Sequence, residues 1–226
     1  MFKQKVKLFA SRENLSEMLS HSDINLESIG ERPTAVFIVI QDEKKTYHSL
    51  VTILLKQIYE TLISVAQRHG GKLPVRTNFL LDEFANIGKI PDFDKKISTS
   101  RSRKISFSVI LQNVDQLEAV YEKSYETIMG NCDTHLFLGS NSYKTLEYFS
   151  KALGEKTITR DNVSVNKDRE DWKQGKSESD QVMGRALMTP DELRRMDNDL
   201  CIIYEKGIKP IKANKYYYFK YPEGKL

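Results

Sequence analysis

The chain has 226 residues, of which 29% are charged and 39% hydrophobic, and its formal net charge is +4. These values are typical of a soluble globular protein of one domain, or of one domain with a small appendage. The mild positive charge does not by itself indicate nucleic-acid binding. No run of about 18 apolar residues occurs, so we expect no membrane segment in this chain. Cys132 and Cys201 lie far apart in sequence and in apolar surroundings, which is typical of reduced core residues rather than of a zinc site.

The apolar pattern predicts helices and strands that alternate along the chain. The first thirty residues are predicted to be a peripheral segment, with a strand candidate at Val6–Phe9 and a helix candidate at Glu13–Leu19. The predicted strands that follow are Thr34–Ile40, Asn78–Leu81, Ile105–Leu111, His135–Leu138 and Leu200–Tyr204, with Tyr216–Phe219 as a further candidate. The predicted helices are Lys45–His69, a turn and helix within Asn86–Ser100, Val114–Tyr121, Tyr125–Met129 and Ser142–Leu153.

The predicted strands are continuously apolar rather than alternating, which is typical of a mostly parallel sheet with helices on both faces. Residues 31–226 are therefore predicted to form one α/β domain that follows the peripheral segment of residues 1–30. One stretch within this domain, Asn162–Gln181, is polar and charged. We expect it to be an exposed loop or a mobile hairpin.

Two adjacent carboxylates, Asp82 and Glu83, follow the predicted strand Asn78–Leu81 directly. This is the form of a Walker B element, in which the Asp holds the Mg²⁺ of Mg-ATP and the Glu polarises the attacking water. The phosphate-binding pattern G-x-x-x-x-G-K-[ST] does not occur in these 226 residues. The sequence thus carries the metal and water half of an ATPase site, and the predicted fold lacks the Walker A strand and loop.

Other polar candidates flank the strand Ile105–Leu111. Gln112 follows it, and in RecA-like ATPases a Gln or Asn at that place contacts the γ-phosphate or the lytic water. Arg101 and Arg103 precede the same strand, where an arginine can reach a neighbouring protomer's nucleotide and stabilise the transition-state charge. The sequence does not decide which of the two arginines has this role.

The chain resembles the C-terminal part of the nucleotide-binding domain of type IV secretion coupling proteins, the TraG/TraD-type conjugation ATPases. The segments that carry the resemblance are FLLDEFANIGKIPDF (Phe79–Phe93), SRSRKISFSVILQNVDQLEAVY (Ser100–Tyr121), NCDTHLFLGS (Asn131–Ser140), ALGEKTI (Ala152–Ile158) and RALMTPDELRRM (Arg185–Met196). They follow the order and spacing of the family over most of the chain.

The resemblance implies a RecA-like P-loop NTPase fold and a hexameric parent that uses ATP and Mg²⁺. Asp82 would anchor Mg²⁺, Glu83 would be the general base, Gln112 would sense the γ-phosphate, and Arg101 or Arg103 would act across a subunit interface. The implied partners are a relaxase–DNA complex and the components of a secretion channel, with direct contact to DNA as a further expectation. The implied place is cytoplasmic, in a parent anchored at the inner face of the bacterial cell membrane.

The missing phosphate-binding pattern leaves other interpretations open. The parent is expected to be an ATPase and the isolated chain to be inactive, so the chain alone would be a non-catalytic docking or oligomerisation module. A different α/β enzyme that uses Asp82 as a general acid or base lacks support, because neither G-x-S-x-G nor a Gly-rich dinucleotide loop occurs. We also expect that two sheet edges remain unpaired without a Walker A strand, and such edges favour association.

Overall fold

A computed structural model describes residues 21, 23–40, 45–165 and 176–220 of the chain. It divides into two compact units, unit 1 (Met1–Ile110) and unit 2 (Leu111–Leu226). The predicted elements Val6–Phe9 and Glu13–Leu19 lie outside the described residues.

Unit 1 is built on a pair of parallel strands. Its elements are α1 (Ser28–Glu31), α2 (Lys45–Arg68), β1 (Thr77–Leu81), a 3-10 helix (Phe84–Ile87), α3 (Phe93–Ser100), a second 3-10 helix (Arg101–Arg103) and β2 (Ile105–Val109). β1 and β2 pair in register from Thr77 opposite Ile105 to Leu81 opposite Val109. One face of this pair is covered, since Phe79 and Leu81 are buried, whereas Leu80 on the other face is 74% exposed. The prediction of helices on both faces therefore holds for one face of this strand pair.

The long helix α2 agrees with the predicted Lys45–His69 to within one residue at its C-terminal end. Its buried stripe recurs at helical spacing: Leu55, Ile58, Tyr59, Leu62, Val65 and Ala66. The helix ends where Gly70 and Gly71 take positive φ angles of 70° and 90°, a conformation that glycine adopts without steric cost. The amide of Gly71 donates back to the carbonyl of Ala66 over 2.7 Å, which satisfies one of the last helical carbonyls.

By length and composition alone, His48–Arg68 could cross a membrane, with a mean hydropathy of 1.3. The absence of a membrane segment therefore stays a prediction. One such helix is weak evidence, because core helices of soluble proteins also pass the test.

The short helix α1 packs on α2. Gly30 lies so close that an added Cβ would be 2.8 Å from Leu73 Cδ2 and 3.0 Å from Leu62 Cδ2. An ion pair of 3.0 Å between Arg68 and Glu27 adds to this contact. The domain boundary at residue 30 stays a prediction, but the last residues of the proposed peripheral segment belong to the packing of unit 1.

The predicted buried strand Thr34–Ile40 is wrong. Residues 33–40 form neither helix nor strand, and Phe37 and Val39 are 88% and 94% exposed. A strand needs a hydrogen-bonded neighbour, and none of the described strands pairs with this segment. An apolar run favours burial, but it does not supply the partner that a strand requires.

Unit 2 combines helices with antiparallel strands. Its elements are α4 (Val114–Tyr121), α5 (Ser124–Gly130), β3 (Thr134–Phe137), α6 (Tyr143–Leu153), β4 (Glu155–Val165), β5 (Lys176–Ala186), α7 (Pro190–Arg194), β6 (Leu200–Glu205), β7 (Ile211–Asn214) and a 3-10 helix (Tyr218–Lys220). β6 lies between β3 and β7 and is antiparallel to both. The core of the unit packs α6, α7, β3 and β6 together through Phe137, Leu146, Phe149, Leu153, Leu193 and Ile202.

Two segments of unit 2 differ from what the sequence predicted. The stretch Asn162–Gln181 was predicted to be an exposed loop or a mobile hairpin. Residues 162–165 and 176–181 belong to the paired strands β4 and β5, so they agree with a hairpin and not with a loop. The residues between these strands, 166–175, lie outside the described part of the chain. The predicted strand Tyr216–Phe219 is wrong, because Tyr218–Lys220 is a 3-10 helix and the last strand is Ile211–Asn214.

The strands do not join into one sheet. β1–β2, β3–β6–β7 and β4–β5 form three separate sheets, so β2 and β3 each keep one edge without a described partner.

Candidate functional site

The carboxylates Asp82 and Glu83 lie at the carboxyl end of β1. Asp82 is exposed and Glu83 is partly buried. The amide of Glu83 donates to Asp82 Oδ1 over 3.1 Å, and the carbonyl of Glu83 accepts a hydrogen bond of 2.7 Å from Asn86. The pair thus forms an ordered turn between the strand and the following 3-10 helix.

The backbone of this turn has an unusual conformation. Glu83 has φ 46° and ψ 45°, in the left-handed region that a residue with a Cβ atom rarely occupies. Left-handed geometry costs about 1–2 kcal/mol for such a residue, so the surrounding structure must hold it in place. Strained backbone of this kind is concentrated at functional sites, where it directs a side chain toward a ligand.

Two contacts hold the turn. The amide of Phe84 donates to the carbonyl of Ile110 over 3.1 Å, and the amide of Ile110 donates to the carbonyl of Leu81 over 3.0 Å. The ring of Phe84 is fully buried and packs 4.7 Å from the ring of Phe93. Glu83 therefore sits between a strand and an anchored aromatic residue, which leaves its backbone little freedom.

The arginines Arg101 and Arg103 form the 3-10 helix that precedes β2. Because β1 and β2 are parallel, these residues lie at the opposite end of the strand pair from Asp82 and Glu83. A five-residue strand spans about 16 Å. The structure therefore does not bring the arginines to the carboxylates of the same chain. Arg101 is exposed, whereas Arg103 is partly buried and its carbonyl accepts a hydrogen bond of 3.1 Å from Leu73.

Gln112 belongs to unit 2 and is exposed. The helix α4 begins just after it, where Asn113 Oδ1 accepts a hydrogen bond of 3.0 Å from the amide of Gln116. The side-chain amide of Gln116 lies 3.4 Å from Gln112 Oε1. The amide of Val114 donates to Thr145 Oγ1 over 3.0 Å, in a buried bond that fixes the start of α4 on α6.

Sequence reasoning proposed the carboxylates and Gln112 as site residues but missed the residues that anchor the backbone around them. Asn113 could have been recognised, because Asn immediately before an apolar helical pattern is a common N-cap. The anchoring role of Phe84 and Ile110 depends on backbone hydrogen bonds between non-neighbouring segments, and no local sequence pattern reports these.

The donor set fits Mg²⁺ bound together with phosphates. Mg²⁺ usually takes one or two carboxylates, several waters and the phosphate oxygens of its substrate. Asp82 offers one exposed carboxylate, and among the described residues no group of three or more His, Cys, Asp and Glu could hold a metal ion by itself.

Comparisons with known proteins identify the family of this chain. The chain matches the family model "Type IV secretory system Conjugative DNA transfer" over residues 1–226. It is 27% identical over 203 residues to protein VirD4 of Rhizobium rhizogenes, covering 88% of this chain and 29% of that protein. It is 26% identical over 228 residues to the conjugal transfer protein TraG of Escherichia coli, covering 90% of this chain and 36% of that protein. The chain thus spans about a third of the length of these relatives.

Solved structures show the same fold. The unbound bacterial conjugative coupling protein TrwBdeltaN70 matches with a TM-score of 0.68 at 18% identity, covering 93% of this chain and 52% of that one. The plasmid coupling protein TrwB in complex with ADP and Mg²⁺ matches with a TM-score of 0.67 at 20% identity, covering 88% and 45%. The α/β RecA-like fold predicted from the sequence is confirmed by these matches. The chain belongs to the type IV secretory system conjugative DNA transfer family, the family of coupling proteins that the sequence resembles.

Proposed function

We propose that the chain is a portion of the ATP-driven motor of a conjugative coupling protein. The observation that carries the proposal is the ordered Asp82–Glu83 turn at the carboxyl end of a parallel strand pair. Ligands of open α/β sheets bind at this edge. TrwB, with which the chain shares its fold, is known in complexes with ADPNP and with ADP and Mg²⁺.

Asp82 would hold Mg²⁺, whose role in phosphoryl transfer is to bridge and neutralise the β- and γ-phosphate oxygens. Glu83 would orient the attacking water and accept its proton. The hydrogen-bonded turn supports this assignment, because a group that is fixed before the ligand arrives needs no reorganisation in the transition state.

Gln112 would contact the γ-phosphate or the lytic water. Gln112 lies two residues after Ile110, whose backbone is hydrogen-bonded to the carboxylate turn. It also lies just before the capped start of α4. A change in its contact on hydrolysis could thereby reach α4 and, through the bond from Val114 to Thr145, also α6.

Arg101 or Arg103 would act on the nucleotide of a neighbouring protomer. Both lie at the far end of the strand pair from Asp82, so they are suited to a neighbouring site rather than to their own. The greater exposure of Arg101 favours it over Arg103. This assignment requires a ring, and a homo-hexamer is the expected assembly.

In the cell, the longer protein would move a relaxase–DNA complex into a type IV secretion channel. It would be anchored at the inner face of the bacterial cell membrane with this portion in the cytoplasm. The membership of the chain in a conjugative DNA transfer family supports these partners and this place.

A second function is favoured by a different observation. Residues 33–40 and Leu80 expose apolar side chains, with Phe37 at 88% and Val39 at 94%. Exposed apolar surface of this kind is typical of a contact site. Together with the missing G-x-x-x-x-G-K-[ST] pattern, it supports a docking or oligomerisation module without ATPase activity of its own.

Mg-ATP binding and turnover should be measured for this chain and for the longer protein that contains it. In the longer protein, Glu83→Gln is expected to abolish turnover and to keep ATP binding. Glu122→Gln is a matched control, because Glu122 is also a glutamate with positive φ, 50°. Full turnover by the Glu83→Gln variant would overturn the assignment of the base.

The isolated chain separates the two functions. No binding of Mg-ATP by the folded chain supports a half-site that is completed by other residues of the longer protein. Turnover by the isolated chain that disappears in Glu83→Gln would show that phosphates are held without a Walker A loop. The assumption that the phosphate-binding half of the site lies elsewhere in the longer protein would then be wrong.

A further inference from the structure

Gln116 lies in the first turn of α4, close to the candidate site residue Gln112. Its side-chain nitrogen Nε2 lies 3.4 Å from Gln112 Oε1. Its side-chain oxygen Oε1 is buried, and within the described part of the chain no group donates a hydrogen bond to it. Gln112 is exposed, whereas Gln116 is partly buried. The side chain of this pair that a ligand can meet is therefore that of Gln112.

Helix capping does not explain the side chain of Gln116. Asn113 is the N-cap of α4, so Gln116 occupies the position at which a Gln or Glu side chain usually accepts a hydrogen bond from the N-cap amide. Glu192 does this at the start of α7, where its Oε2 accepts from the amide of Thr189 over 2.8 Å. Among the described residues, Gln116 Oε1 accepts no such bond.

The unpaired oxygen of Gln116 makes the start of α4 less stable. An amide oxygen that is buried without a donor costs free energy, and the few such groups in native proteins call for an explanation. A glutamine that carries this cost beside a candidate site residue is expected to contribute through its other polar atom. That atom is Nε2, and its acceptor is Gln112 Oε1.

The two ends of the Gln112 amide differ in hydrogen bonding. The oxygen accepts hydrogen bonds, the nitrogen donates two, and the torsion that exchanges these ends is broad and roughly two-fold. Phosphate oxygens are acceptors, so Gln112 attracts a phosphate only through its Nε2 end. Donation from Gln116 to Gln112 Oε1 favours one orientation of the Gln112 amide, because the reverse orientation would bring two N–H donors together.

We propose that Gln116 is a positioning residue that fixes the amide orientation of Gln112 and thereby directs the N–H donors of Gln112 to a phosphate oxygen of the nucleotide. The proposal rests on the proposed role of Gln112 at the γ-phosphate. The distance of 3.4 Å is long for an N–H···O bond, and the contacts of catalytic groups are often long before the substrate complex forms. We expect this contact to shorten when the nucleotide binds.

Two replacements of Gln116 in the longer protein test the proposal through ATP turnover. Gln116→Met keeps an unbranched side chain of similar length and removes both polar ends. Gln116→Glu keeps the shape and replaces the donor with an acceptor. Both are expected to lower kcat by about ten- to a hundredfold with KM nearly unchanged, since misplacing a group at the reacting atoms has a cost of this order.

Melting temperatures distinguish positioning from a structural role. Gln116→Met removes the unpaired oxygen, and Gln116→Glu places a favoured acidic residue in the first turn, so neither is expected to melt below the wild type. If Gln116 were only a capping residue, Gln116→Glu would keep full activity. Gln57→Met is the matched control, because Gln57 is an exposed glutamine on α2, and it should change neither kcat nor the melting temperature.

A double-variant cycle shows whether Gln116 acts through Gln112. Gln112→Ala alone is expected to lower kcat. Gln112→Ala/Gln116→Glu should then have the kcat of Gln112→Ala, because the orientation of the amide has no effect once the amide is removed. Two independent losses would instead multiply.

Four results would overturn the proposal. Full turnover by both Gln116 variants, with Gln112→Ala impaired, would keep the role of Gln112 and remove Gln116 from it. Losses that multiply in the double variant would show that Gln116 acts elsewhere. A lowered melting temperature in every Gln116 variant that loses kcat would assign the effect to helix stability. Full turnover by Gln112→Ala would overturn the proposed role of Gln112 itself, and the positioning role with it.

Discussion

Phe84 and Ile110 are joined by a backbone hydrogen bond of 3.1 Å across the carboxyl ends of β1 and β2. Ile110 also donates to the carbonyl of Leu81, so it binds both sides of the Asp82–Glu83 turn. The two carboxylates are thus held by residues on either side that belong to the sheet and its core. In this geometry the strand pair fixes the backbone that carries the two candidate carboxylates.

The left-handed backbone of Glu83 leads to a first prediction. Glu83→Gly is expected to be more stable than Glu83→Ala by about 1 kcal/mol, because glycine adopts positive φ without the steric penalty of a Cβ atom. The measurement is urea unfolding of both variants. A pair of variants at Asp82, which is not among the residues with positive φ, gives the control: Asp82→Gly should not be more stable than Asp82→Ala. Equal stability of the two Glu83 variants would contradict the assigned backbone conformation.

A second prediction concerns the close approach of α1 to α2. Gly30→Ala is expected to destabilise unit 1 by about 1–3 kcal/mol, because the new methyl group would meet the side chains of Leu62 and Leu73, which are fully buried. Thermal unfolding followed by circular dichroism measures the change.

Gly130→Ala is the control for this substitution. Gly130 ends α5, and an added Cβ would have no atom within 4 Å apart from those of its chain neighbours and of the helix's own backbone. Its replacement should be neutral or stabilising, since alanine favours helix more than glycine does. A Gly30→Ala variant as stable as Gly130→Ala would mean that α1 does not pack on α2 as described.

The sequence predicted the elements whose stability is local. The helix α2 has a long apolar stripe and a glycine pair at its end. The helix α6 is capped by Ser142, whose side chain accepts a hydrogen bond from the amide of Thr145. These signals act within a few residues of each other, so they can be recognised in the sequence. β1 was predicted for a similar reason, as an apolar run closed by two carboxylates.

The failures concern elements that need a distant partner. Thr34–Ile40 has the composition of a strand but no described neighbour to pair with. Ile211–Asn214 has a weak strand pattern, yet it pairs with β6 from Ile203 to Leu200. The same limit applies to the candidate site: Asp82, Glu83 and Gln112 could be proposed from the pattern and the family, whereas the contact of Phe84 with Ile110 arises only when β1 and β2 pair.

The cap of α4 gives a third prediction. Asn113→Ala is expected to destabilise unit 2 by about 1 kcal/mol, because it removes the acceptor for the amide of Gln116 at the first turn of the helix. Asn113→Asp keeps an acceptor and should retain most of the stability. Guanidinium unfolding of the two variants measures the difference. If both variants are destabilised equally, the side chain of Asn113 does not act as the N-cap.

The fourth prediction is a pH dependence at α7. Glu192 Oε2 accepts a hydrogen bond of 2.8 Å from the amide of Thr189, and Arg185 donates to Glu192 Oε1 over 2.6 Å. The backbone bond from Thr189 and then the bond from Arg185 hold the pKa of Glu192 below its ordinary value of 4.5. A carboxylate with a lowered folded-state pKa stabilises the fold above its unfolded pKa, and this contribution is lost as the pH falls through the folded value.

Glu192→Gln should therefore lower the melting temperature at pH 7, and the difference from the wild type should shrink as the pH falls below about 4.5. Calorimetric melting curves between pH 7 and pH 3 measure it. Glu205→Gln is a control in the same unit, because Glu205 is an exposed glutamate at the end of β6 and takes no part in this capping box. A Glu192→Gln difference that stays constant down to pH 3 would show that ionised Glu192 does not stabilise the start of α7, and the bonds to Thr189 and Arg185 would then contribute nothing that depends on charge.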